Sequence, residues 1–161
     1  MVDVLDKAAR SALMAKVRQK NTAPELVVRR ALHAMGYRFR LHVKGLPGSP
    51  DLVFPSRRKV LFVHGCYWHA HDCKQGSRRP TSNVAFWSEK ARANRERDER
   101  KEAALRQAGW DVETVWECEA KDRANPWLGR IVAFLGIRSE DPETGVSDAA
   151  SDSGSIGKAG I

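Results

Sequence analysis

Apolar residues recur along this chain with two different periods, and the changes between them mark its elements. A short stripe of Leu13, Met14 and Val17 among basic residues predicts a first helix over about residues 7–18. Thr22 and Glu25 have the spacing of a reciprocal N-terminal cap. Val27, Val28, Ala31, Leu32 and Met35 then repeat at helical intervals until Gly36, which predicts a second helix. Over residues 37–43 the period drops to two: Tyr37, Phe39, Leu41 and Val43 share one face and Arg38, Arg40 and His42 the other, the pattern of a half-buried strand. A turn-forming run, residues 45–50, closes it. Residues 51–54 and 59–63 are apolar strands joined through Pro55, Ser56, Arg57 and Arg58, which predicts a hairpin inside the sheet. A long helix over about residues 83–108 stops at Gly109. The strand predicted next, residues 110–118, places Trp110, Val112, Thr114 and Trp116 on one face, and Asn125 and Pro126 open a last helix through Trp127, Ile131 and Leu135. The succession α, α, β, β, β, α, β, α predicts a mixed sheet flanked by helices.

Composition divides the chain in two. Of 161 residues, 28 are Lys or Arg and 20 are Asp or Glu, but residues 139–161 hold five acids and one base. Removing that net −4 from the overall +8 leaves +12 on residues 1–138. The body is therefore expected to be one domain with a sizeable core, and the tail, poor in large apolar residues, to be acidic and disordered. So basic a body favours a phosphate-rich partner such as DNA or RNA, although a merely soluble basic protein has the same composition. No apolar run approaches the length of a membrane span and residues 1–10 carry charges where a signal peptide is apolar, so a cytoplasmic protein is expected.

Three histidines and two cysteines fall within residues 64–73, directly after an apolar strand. Zinc favours four thiolate or imidazole ligands in a tetrahedron; Cys66, His71 and Cys73 supply three, and Cys118, the remaining cysteine, would be the fourth. Such a closed shell is structural rather than catalytic; the alternative is three buried free thiols. With His71 assigned to zinc, His64 and His69 remain, together with Asp51. Asp51 begins one predicted strand and His64 ends the next, so the two can meet at one sheet edge, although Pro-Asp is also a common turn pair. Read alone, Glu25 is a cap, Asp98 a solvated charge on a highly charged helix, and Tyr67 and Trp68 core aromatics.

Pro47, Gly48, Ser49, Pro50 and Asp51, followed by the run from His64 to His69 with His71 and Cys73, are similar to the signature of very short patch repair endonucleases. So are Asp3, Asp6, Lys7, Arg10 and Ser11, then Phe86, Trp87 and Glu89, then Asn94, Glu96, Arg97 and Asp98, and the stretch from Gly109 to Cys118. The likeness spans about residues 1–135. It implies a restriction-endonuclease-like fold and a magnesium-dependent enzyme that nicks double-stranded DNA 5′ to the T of a T:G mismatch left by deamination of 5-methylcytosine. In that family pattern Asp51 and the carbonyl of Val63 bind magnesium, and His69, oriented by Asp98, is the general base. His64 and Glu25 complete the site around the scissile phosphate. Tyr67 and Trp68, with Met14 of the first helix, wedge into the DNA stack beside the mispair. A monomer suffices for one nick; other repair proteins and a nucleoid location are further expectations. As in this repair family, the strand ending at Val63 lacks the acid and lysine of many restriction-type nucleases; Tyr67 stands where Phe is also familiar, and Ala70 where histidine can occur. Residues 74–80 and the tail are less family-like. Two other readings remain from the residues themselves: a zinc-stabilised nucleic-acid-binding module without catalysis, and a nuclease acting on matched DNA.

Overall fold

The computed structural model describes Ala12, residues 20–78 and residues 83–136. The expected first helix with Met14, and the acidic tail, lie outside the described residues.

Helix α1 (Ala23–Ala34) begins where expected, with Pro24 in its first turn and the Glu25 carboxylate accepting the Thr22 backbone N–H at 3.2 Å. It ends at Gly36, whose φ of +88° suits glycine. There the N–H groups of Gly36 and Tyr37 turn back to the carbonyls of His33 and Leu32, both at 3.0 Å. Helix α2 (Val84–Gln107) closes in the same way, Gly109 bonding to Arg106 and Trp110 to Leu105. In both, a glycine in the left-handed region lets the chain reverse into the next extended segment.

The sheet has four strands in the order β1 (Arg40–Leu41), β2 (Leu52–Phe54), β3 (Lys59–His64) and β4 (Asp111–Trp116). The first two pairings are antiparallel. The third, β3 with β4, is parallel, and α2 supplies the long crossover that a parallel pair needs. The hairpin is as predicted, its turn a short 3₁₀ segment (Pro55–Arg57) followed by Arg58 in the left-handed region.

The strand expected over residues 37–43 is only two residues long. Tyr37 and Phe39 do enter the core and meet the Phe54 ring edge-on, but His42 adopts φ +45° and breaks the alternation. Leu41 is therefore 44% exposed and Val43 packs on the other side of the sheet. The strand expected to reach Cys118 stops at Trp116, because the Glu119 carboxylate accepts the Trp116 N–H at 2.8 Å and starts helix α3 (Glu117–Lys121).

Both sheet faces are covered. Leu52, Phe54, Leu61 and Val115 pack under Val28 and Leu32 of α1 and under Trp127, Ile131 and Leu135 of helix α4 (Trp127–Leu135). Val53, Val60, Phe62 and Val112 pack against Leu105 of α2. Truncating fully buried Trp127 to Ala would remove about 3–5 kcal/mol of this packing. At the hairpin tip, three consecutive cations reach helix C-terminal ends: Arg57 to the Leu135 carbonyl (2.9 Å), Arg58 to Ala108 (2.5 Å) and Lys59 to Phe134 (2.5 Å). The opposite end of β3, about 17 Å away at ordinary strand rise, carries the candidate site.

Candidate active site and metal centre

At that end β3 outruns β2. The N–H of Val63 has no β2 partner there, and the Asp51 carboxylate supplies one, accepting it through Oδ2 at 2.7 Å. Asp51 is thereby fixed at the rim of a cavity of about 720 Å³, lined also by Val63, His64 and His69, by Asp98 of α2, and by the cations Lys20, Lys90, Arg97 and Lys101. Burial pushes the Asp51 carboxyl up, against the Val63 N–H and the nearby charges of Arg29 and His69.

The loop after β3 returns on itself through bonds from the His69 N–H to the Gly65 carbonyl (3.2 Å) and from the His71 N–H to that of Cys66 (3.1 Å). Asn94 of α2 anchors it by donating to the Trp68 carbonyl at 2.9 Å. These ties bring His69 Nδ1 to 2.5 Å from Asp98 Oδ2. Asp98 is not a solvated surface charge. Burial would raise its carboxyl, but the hydrogen bond and charge of His69 outweigh it and hold the group low. A Nδ1–H donated to that carboxylate leaves the His69 Nε2 lone pair free, the form a general base requires.

His64 lies flat on His69, ring centroids 4.0 Å apart and planes 5° from parallel. Burial first, then the neighbouring His69, pushes His64 down to about 3, so it is neutral at physiological pH. Trp116 meets His64 edge-on at 5.5 Å and stacks on His71 at 4.1 Å. One column of rings thus runs from the cavity to the cysteine cluster.

In that cluster Cys66, His71, Cys73 and Cys118 each offer a ligand atom, all within 4.8 Å of one another. His71 Nδ1 lies 3.7 Å from Cys66 Sγ and 3.5 Å from Cys118 Sγ. The Gly76 N–H bonds to Cys73 Sγ at 3.3 Å and is the main cause that lowers its thiol to about 6, whereas burial pushes that of Cys66 up to about 12. A four-membered thiolate and imidazole set of this size suits zinc, which displaces thiol protons on binding. The expected ligand from a strand end, Cys118, instead sits in the first turn of α3.

Tyr67 and Trp68 are not core residues. Both are half-buried, 5.0 Å apart edge to face, and Tyr67 continues to Trp87 (6.3 Å) and Trp87 to Phe86 (5.2 Å), which is 49% exposed. Lys90 lies over both of the last two rings. Met14, expected beside them, is outside the described residues.

Glu25 does more than cap. It is 2% exposed; one oxygen accepts the Thr22 N–H, and the other pairs with Arg29 and lies 3.1 Å from His42 Nε2. It does not line the cavity, but its carboxylate, His42 and Asp51 each offer a ligand atom, all within 4.8 Å of one another, so it joins Asp51 from behind the wall. Sequence reasoning missed Arg29, His42 and Trp116 as parts of the site. The one available signal was a charged pair, Glu25 and Arg29, placed on the apolar stripe of α1 where Val28 and Leu32 are buried.

The family model described as "DNA mismatch endonuclease Vsr" matches residues 2–75. The chain is 59% identical over 135 residues to type II nicking enzyme V.XorIIP of Xanthomonas oryzae pv. oryzae, covering 84% of this chain and 95% of that one. Type II nicking enzyme V.NmeAIP of Neisseria meningitidis is 42% identical over 124 residues, covering 77% and 88%. The DNA mismatch endonuclease Vsr of Escherichia coli K12 is 42% identical over 123 residues, covering 76% and 78%.

Proposed function

This chain belongs to the Vsr family of DNA mismatch endonucleases, and from that premise we propose that it nicks duplex DNA 5′ to the T of a T:G mismatch, with magnesium at Asp51. That it is a DNA endonuclease follows from the family; strand, mismatch and metal are the finer reading. The observation that carries it is the convergence of Asp51 with the His69–Asp98 pair on one cavity walled by four cations.

Magnesium, held by the Asp51 carboxylate and the Val63 carbonyl, would stabilise the attacking and leaving oxygens of an in-line displacement. The protein's own residues account for the rest. His69 Nε2 takes the proton of the attacking water, and Asp98 holds the ring in the right tautomer and stabilises the imidazolium formed. Neutral His64 keeps the His69 ring in plane without adding a competing charge. Lys20, Lys90, Arg97 and Lys101 neutralise the backbone that enters the cavity. As the water oxygen bonds to phosphorus, the bond from phosphorus to the 3′ oxygen breaks; the 3′ oxygen takes a proton from solvent, leaving a 3′ hydroxyl and a 5′ phosphate.

Selectivity rests on the rings. Unstacking a base step costs a few kcal/mol and least at a mispair, so Trp68, which lines the cavity, and Tyr67, packed edge-on against it, would favour the weakened step. Zinc on Cys66, His71, Cys73 and Cys118 would stiffen the loop that bears them. No described helix is long and apolar enough to cross a membrane.

The test is a nicking assay with magnesium on duplexes labelled in each strand, containing T:G or the matched pairs. A nick confined to the T strand of the T:G duplex is expected. Equal cutting of matched DNA would overturn the mismatch reading, and undiminished cutting without a divalent metal the magnesium one. Asp51→Ala should lose nicking while keeping zinc and DNA binding.

A further inference from the structure

Behind Asp51 lies a buried polar group that the proposed chemistry does not use. The Arg29 guanidinium, on a residue 8% exposed, donates to Asn21 Oδ1 at 2.6 Å, pairs with Glu25, and places an N–H nitrogen 2.9 Å from His42 Nε2. The other nitrogen of that ring, Nδ1, faces Asp51 Oδ1 at 3.9 Å and lines the cavity with it. His42 is held at this point by its unusual φ of +45°, the same feature that cuts β1 short.

A guanidinium only donates, and a carboxylate only accepts. A hydrogen on Nε2 could be accepted by Glu25 Oε1 at 3.1 Å, but it would meet the Arg29 N–H at the shorter 2.9 Å, and in the neutral Nε2–H ring the bare Nδ1 lone pair would also face the Asp51 carboxylate. With the hydrogen on Nδ1, Arg29 donates to Nε2 and His42 turns a donor towards Asp51. One unfavourable approach remains, Nε2 with Glu25 Oε1 at 3.1 Å, and the Arg29 nitrogen that contacts both atoms offsets it.

We propose that Arg29 locks His42 in the neutral Nδ1–H tautomer, so that the Val63 N–H, bonded to Oδ2, and the Nδ1–H dipole of His42, 3.9 Å from Oδ1 and beyond hydrogen-bond reach, together orient the Asp51 carboxylate. Arg29 and His42 are positioning residues, and Glu25 acts through them. The role assigned to Asp51 rests on the reading of the preceding subsection; the tautomer does not. A misaimed ligand-orienting partner typically costs about 10- to 100-fold in activity or metal affinity, which sets the expected scale.

The first measurement is made on the intact zinc-loaded protein without magnesium or DNA. Long-range ¹H–¹⁵N correlation spectra near pH 7.5 read the tautomer of each of the five histidines, and His42→Gln identifies the His42 signals by their loss. A Nδ1–H pattern is expected; a Nε2–H or imidazolium pattern overturns the proposal, whatever the enzyme's activity. The second measurement compares side chains. Gln offers one donor and one acceptor as the neutral ring does, so His42→Gln should stay within about 3-fold of the parent nicking rate, while His42→Leu falls about 10- to 100-fold, with a higher magnesium requirement and unchanged duplex affinity. Equal loss in both overturns it. Because Arg29→Met strands Glu25, the Glu25→Gln/Arg29→Met pair is used for the lock itself. In that pair, a folded protein whose His42 keeps the pure Nδ1–H pattern would show that Arg29 is not what sets it, and an unfolded one leaves the His42 comparison to decide.

Discussion

Asp98 Oδ2 lies 2.5 Å from His69 Nδ1, joining the middle of a helix to a loop 29 residues earlier in the chain. The partner is the ring proposed above to take the proton of the attacking water, and a Nδ1–H donated to Asp98 leaves Nε2 bare. Asp98→Asn can donate to that nitrogen as well as accept from it, which favours the wrong tautomer. We expect nicking to fall about 10²- to 10⁴-fold, with duplex affinity nearly unchanged. A rate within 3-fold of the parent, measured in single turnover, would remove Asp98 from the mechanism.

Cys66→Ser and Cys118→Ser each break the four-ligand cluster. One zinc per chain in the parent protein, and little in either variant, is expected by elemental analysis, with Tm lowered by about 10 °C or more. Chelation of the parent should reproduce that fall, and full zinc content in Cys118→Ser would exclude it as a ligand.

Gly76 is irreplaceable for a steric reason. A Cβ there would lie 2.0 Å from the His71 carbonyl oxygen and 3.0 Å from that of Cys66, both backbone atoms of the loop that carries the cysteine cluster. Gly76→Ala should destabilise by more than about 4 kcal/mol or fail to hold zinc. Gly129→Ala, inside α4 with nothing within 4 Å, should instead stabilise by about 0.5–1 kcal/mol. Denaturant unfolding of the two variants separates these outcomes.

His64 predicts a pH dependence of stability. Its folded pKa of about 3 lies below the ordinary 6.5, with burial the larger cause. The unfolded chain therefore takes up a proton at His64 below about pH 6.5 where the native state does not, and stability falls as pH drops through that range. Between pH 7.5 and 5 the loss is about 2 kcal/mol. His64→Asn should flatten this part of the profile in denaturant melts, and an unaltered slope would show that another group is responsible.

Period and punctuation made most of the frame legible: α1, the hairpin, α2 and α4 stand close to where apolar spacing and Gly36, Gly109 and Pro126 put them. Residues 37–43 read as a strand because alternation says nothing about φ, and a single left-handed residue, His42, redirects Val43. Cys118 was legible as a candidate ligand but not as helical, since the alternation of residues 110–118 runs past the local cap in which Glu119 accepts the Trp116 N–H three residues before it. Within the site, Asp51, His64 and His69 could be singled out because their residue types carry chemistry. Arg29 and His42 could not, because a charge on an apolar stripe gains meaning only when its buried partners are known.

The three helix-end contacts of Arg57, Arg58 and Lys59 bear on how the molecule meets a polyanion. Those cations face carbonyl dipoles at one pole, whereas Lys20, Lys90, Arg97 and Lys101 surround the cavity at the other. The latter four thus remain available to pair with the phosphates of a polyanion entering the cavity.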